Sequence, residues 1–220
     1  MTVGTAFSTA GETANNAYGR LEVNDDCSVT TKCVNVSSGE VVQRGGMVRG
    51  TDTDSIRIGR YANREGFYYL SGGRLESAQH FYIGYVAGGV GQLWQTGGTV
   101  DTKSTFSIGK VANATGMVHV AGGAIEQSAG TTRVGENGTG TLVVRDAGVV
   151  KTGTRLSIAD ESATGSGRAM LCKGGVIETA QVLGHGTTEN GRYAEVIFDG
   201  GTRRATADST AYLGNEIVLS

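Results

Sequence analysis

The sequence predicts an all-β chain wound as a single-domain parallel β-helix, about seven coils of about 25 residues with three short strands each. An apolar-Gly pair recurs as Ile58-Gly59, Ile83-Gly84, Ile108-Gly109, Val134-Gly135, Ile158-Ala159, Leu183-Gly184 and Leu213-Gly214, at spacings of 25, 25, 26, 24, 25 and 30. A second series keeps the same period out of phase: Gly45-Gly46, Gly72-Gly73, Gly97-Gly98, Gly122-Gly123, Ala147-Gly148, Gly174-Gly175 and Gly200-Gly201. Self-similarity at a fixed period marks a stacked repeat. The chain also holds 37 glycines and no proline. Glycine supplies positive φ at turns, and proline cannot donate to a strand ladder. Right-handed winding is expected by analogy with other large-coil solenoids.

The first strand of each coil ends at the apolar-Gly pair. Its inward columns read Ile56, Phe81, Phe106, Thr132, Leu156, Gln181, Ala211 and Ile58, Ile83, Ile108, Val134, Ile158, Leu183, Leu213. The second strand runs into the Gly-Gly turn. Its inward pairs are Tyr68 and Leu70, Leu93 and Gln95, Val118 and Val120, Leu142 and Val144, Met170 and Cys172, Val196 and Phe198. The third strand follows that turn and points Val48, Leu75, Val100, Ile125, Val150 and Ile177 inward. Alternation at period two marks half-buried strands, and equivalent residues then stack about 4.8 Å apart. A propeller blade needs about 40 residues, and the leucine-rich signature is absent. Residues 1–40 read as irregular N-terminal coils or a cap, and 41–220 as the repeats with an atypical last coil. Terminal repeats must close an open core.

A net charge of −2 and a pI near 5.9 give no basic excess for nucleic acid. No apolar run approaches the length of a transmembrane segment, and the first residues lack the features of a signal peptide. Cys27 and Cys33 are close enough for a local disulfide, although two unpaired thiols fit equally. Cys172 falls at an inward position and reads as an inert core thiol.

The spelling Ile-Gly, then Gly-x-Leu-x-Val, then Gly-Gly-x-Val is carried here by Gly138-Thr139-Gly140-Thr141-Leu142-Val143-Val144 and Gly122-Gly123-Ala124-Ile125. It resembles the repeats of autotransporter (type V secretion) passenger regions and of PEP-CTERM-associated bacterial surface proteins, over roughly residues 40–214. The resemblance implies a secreted or surface-displayed β-helix acting as stalk, adhesin or scaffold. It brings no catalytic residues.

Two outward rows are the candidate sites. The middle outward column of strand two reads Val42, Tyr69, Trp94, His119, Val143, Leu171, Ile197, with Phe67, Gln92 and Met117 beside it. Tyr69, Trp94 and His119 are its candidate binding residues. The row suits a protein contact or lateral self-association, ladder packing across rungs, or a sugar-stacking platform on Trp94 and Tyr69. The outward column of strand three reads Arg49, Glu76, Asp101, Glu126, Lys151, Glu178, Arg204. Glu76, Asp101 and Glu126 are candidate Ca²⁺ ligands, since hard cations take clustered carboxylates; the plainer expectation is a solvated acidic row flanked by ion pairs. His80 and His185 are expected in solvent.

No motif of nucleophilic, zinc, nucleotide or EF-hand chemistry occurs. Coils of near-constant length leave short turns, whereas function usually lives on loops. The expectation is therefore a structural or adhesive segment meeting a host or matrix surface, glycan or protein, with no catalysis and no nucleic acid. The alternative is a carbohydrate-active or glycan-binding β-helix of pectin-lyase-like architecture, for which Asp101 and Glu126 beside Arg133 are the nearest groups.

Overall fold

A computed structural model describes residues 7–8, 18–159, 164–184, 193–207 and 218–219. Every element among them is a strand, and the strands form three parallel sheets of eight, nine and eight members. Up to Thr202–Ala205 each sheet collects every third strand in chain order, which defines a β-solenoid. Sheet one holds the strands that end in the apolar-Gly pair, sheet two the longer strands that follow, and sheet three the strands after the Gly-Gly turn. No helix among the described residues is long and apolar enough to cross a membrane.

The stacking expected of the aliphatic columns is observed. Ile58, Ile83, Ile108, Val134 and Ile158 are partners in successive strands of sheet one, and all five are fully buried. Phe81 and Phe106 stack with ring centroids 5.1 Å apart. Val48, Leu75, Val100, Ile125, Val150 and Ile177 form the buried column of sheet three in the expected order. Within these two columns aliphatic groups stack on one another from Val36 to Ile158 and from Val29 to Ile177, so the core is a continuous rod.

The corner after sheet one explains the apolar-Gly pair. Gly59, Gly84, Gly109 and Gly135 have φ of +76°, +70°, +72° and +74°. A Cβ on Gly109 would sit 2.5 Å from the Thr139 carbonyl oxygen of the next coil, so both dihedral and space require glycine there. At the corners between sheets two and three, buried amides replace aliphatics. Gln43 Oε1 accepts from the Tyr68 hydroxyl at 2.6 Å, and its Nε2 donates to the Gly45 and Arg74 carbonyls at 3.1 Å each. Burial holds the Tyr68 hydroxyl well above its usual pKa.

Three expectations are corrected. In sheet one, Leu156 pairs with Val182 and Ile158 with Gly184, so Val182 replaces Gln181 in the inward column and Leu183 turns outward. The turn from sheet three into sheet one is one residue shorter here, with two residues between Thr179 and Val182 where the four preceding rungs have three. In sheet two, Ala169 and Leu171 point inward, each 1% exposed, in place of Met170 and Cys172. Cys172 is therefore a partly exposed thiol beside Asp199, not a core one. Cys27 and Cys33 are unpaired as well.

The solenoid register already holds at Gly19, which pairs with Gly39 within sheet two. At the other end, Arg203 and Arg204 take the places of Ile177 and Glu178. Ala211, Leu213 and His185 lie outside the described residues.

Candidate functional site

Pleating places alternate residues of sheet two outside. The register assembles Val42, Tyr69, Trp94, His119, Val143, Met170 and Ile197 into one outward column. Met170 stands where Leu171 was expected, through the same one-residue shift. Tyr69, Trp94 and His119 are thus brought together on adjacent rungs.

The rings pack along the solenoid. Trp94 and His119 lie face to face, 4.2 Å between centroids and 10° between planes, close to the rung spacing itself. Phe67 and Tyr69 are parallel within 6° at 6.1 Å. The indole N–H donates to Gln92 Oε1 at 3.1 Å, and Gln92 Nε2 donates to Glu65 Oε1 at 2.7 Å. Burial lowers the His119 pKa, and the Arg145 charge lowers it further. A protonated imidazole would lose water and meet a cation, so the neutral ring is favoured. One face of Trp94 is therefore covered by its neighbour, which removes half of any sugar-stacking platform centred on it and leaves Tyr69, 37% exposed, as the open ring of the group.

The same face carries a depression of about 340 Å³ further along the solenoid, lined by Thr139, Thr141, Ser166, Arg168 and Tyr193. Reading the sequence missed it, because hydroxyl residues on a strand look like ordinary solvated positions. The one signal was Tyr193, a large ring at a strand start where its column otherwise carries Glu65, Val90, Thr115, Thr139 and Ser166.

On sheet three, Glu76, Asp101 and Glu126 are stacked as expected. Arg74 stands between the first two, with its guanidinium 3.9 Å from Glu76 and 2.7 Å from Asp101. Arg49 reaches Glu76 at 3.5 Å, and Arg204 pairs with Glu178. Among the described residues no group of three His, Cys, Asp or Glu side chains is placed to hold a metal. Arginine thus offsets the like charges of Glu76 and Asp101. A groove of about 630 Å³ runs beside Asp101, Glu126 and Lys151, floored by small residues including Gly153 and Ala180.

Arg133 lies on sheet one, its guanidinium 3.4 Å from Glu136, so it does not join Asp101 and Glu126 on sheet three. The outer side of sheet one holds an unexpected network. Glu136 accepts from the Ser107 hydroxyl at 2.6 Å and from Lys110 Nζ at 2.5 Å. Lys110 also stands 5.4 Å over the Tyr82 ring. Burial, then Asp54 and Glu136, hold the Tyr82 hydroxyl above its usual pKa. Partly buried His80 stacks on Tyr82 at 5.7 Å instead of standing in solvent. Ser107 is fully buried, so the cluster is a cross-rung clamp and not an exposed nucleophile.

Geometry thus defines a β-solenoid with one aromatic and hydroxyl-bearing face, one acidic row and one ionic clamp. No protein-family model, curated protein or solved structure matches the chain, so its function has to be read from these residues.

Proposed function

We propose that the chain is a non-catalytic, structural or adhesive β-solenoid segment of a secreted or surface-displayed bacterial protein. The observation that carries this reading is how its charged side chains are used. Arg74–Asp101, Lys110–Glu136, Arg168–Glu195 and Arg204–Glu178 each join one rung to the next. Such pairs lock coils together instead of converging as an acid and a base around a reacting bond. The exposed part of sheet two then serves as the contact surface, toward a host or matrix surface or a second solenoid lying alongside.

A carbohydrate-active solenoid of pectin-lyase-like architecture, one that cleaves the glycan it binds, is the second reading. It is favoured by the groove beside Asp101, Glu126 and Lys151. Incubation with a panel of polysaccharides, read by reducing-sugar and unsaturated-product assays, separates the two. Adhesion of chain-coated beads to matrix or cells without turnover is the expected result. Turnover abolished by Glu126→Gln would overturn the non-catalytic reading.

A further inference from the structure

We infer that the depression at Tyr193 is a binding subsite for a neutral pyranose, an inference that rests on the adhesive reading and names what is held. Tyr193 is 47% exposed, with its side chain at the edge of the depression. A rigid ring with a polar tip offers apolar contact at low entropic cost. Its hydroxyl is electrostatically coupled to Arg168, and the Glu195 carboxylate of the same strand accepts from the Arg168 guanidinium. Arg168 is thus fixed in orientation while 47% of its side chain stays exposed.

Two features select the ligand class. The Arg168 charge is matched by Glu195, so the described residues of the subsite leave no net charge to reward an acidic sugar or a phosphate. The other polar side chains among the described lining residues are the hydroxyls of Thr139, Thr141 and Ser166, which both donate and accept; Thr139 and Ser166 are partners on adjacent rungs, about 4.8 Å apart. A ligand rich in hydroxyls satisfies them. A protein partner would want an apolar centre, and among the described residues no aliphatic side chain lines this depression. Its volume of about 340 Å³ lies at the small end for ligand sites, which suits one or two sugar rings.

A glycan array of neutral and uronic-acid oligosaccharides, followed by calorimetry of the intact chain with the strongest binder, tests this. The expected result is saturable binding of neutral glycans. Affinity should fall about tenfold or more in Tyr193→Ala, as loss of ring contact implies, and less in Tyr193→Phe. Thermal melts of the variants confirm that they fold. Binding of uronates alone, or a Tyr193→Ala chain that binds like the parent, overturns the subsite. Adhesion that persists with no glycan bound removes the subsite and leaves the adhesive reading standing; absence of both removes the two together.

Discussion

At φ +52°, Ala159 occupies the corner that glycine fills at Gly59, Gly84, Gly109 and Gly135. A left-handed conformation costs an alanine about 1–2 kcal/mol, while glycine in its place costs about 0.5–1 kcal/mol in chain entropy. Ala159→Gly should therefore stabilise the chain slightly, by up to about 1 kcal/mol in urea melts, the difference of those terms. Gly109→Ala has the opposite sign. Strain alone is about 1–3 kcal/mol, and contact with the Thr139 oxygen adds to it. Tyr68→Phe leaves Gln43 Oε1 without its hydroxyl donor, and a buried unsatisfied acceptor costs about 1–3 kcal/mol. His119 carries a pH dependence. Its folded pKa lies below the ordinary value of 6.5, so the unfolded chain takes up the proton first as pH falls. The stability it contributes is full above 6.5 and is lost as pH drops toward the lower folded value. Urea midpoints at pH 7.5 and pH 5 should differ more in the parent than in His119→Phe, which keeps the stacked ring; equal differences would remove His119 as the cause.

At the scale of strands, the columns were legible wherever turn length stayed constant. From Ile56 to Ile158 the register could be counted straight from the glycines. It failed at two places: at Gln181, where the turn out of sheet three is one residue shorter, and at Met170, where the glycine pair is a spelling but the corner is a dihedral. In Gly122-Gly123 the second residue has positive φ, in Gly174-Gly175 the first. Counting back from the pair therefore chose Met170 and Cys172 over Ala169 and Leu171. Of the candidate sites, the two outward rows could be seen because strands alternate. Arg74 between Glu76 and Asp101 could not, since it projects from a neighbouring column and only side-chain geometry brings it across. That placement has a measurable effect. Arg74→Ala should cost no more than about 1 kcal/mol, because the pair is half exposed, and it should make the melting temperature newly sensitive to millimolar Ca²⁺. A parent chain already shifted by Ca²⁺ would contradict the role given to arginine.

Across the whole molecule, each rung touches only its neighbours, so stability is a chain of local couplings. A void made in the middle breaks the rod, whereas one near an end frees only the coil beyond it. Phe106→Ala, which removes a fully buried ring stacked on Phe81, should lower global stability by about 3–5 kcal/mol. Ile177→Ala should chiefly speed amide exchange in the strands from Val176 onward and leave the Ile83–Ile108 region protected. Uniform loss of protection in both variants would mean a single cooperative unit.

The matched registers at Gly84 and Gly109 make one lap of the chain a removable part. A chain joined directly from Ile83 to Gly109 would meet an equivalent corner, aliphatic neighbours for Ile83 and Leu75 in Val134 and Ile125, and the same outward phase, and would emerge shorter by about 4.8 Å. Reach can therefore be trimmed or extended in whole steps without redesigning any surface, the way a measuring rod is cut at its marks.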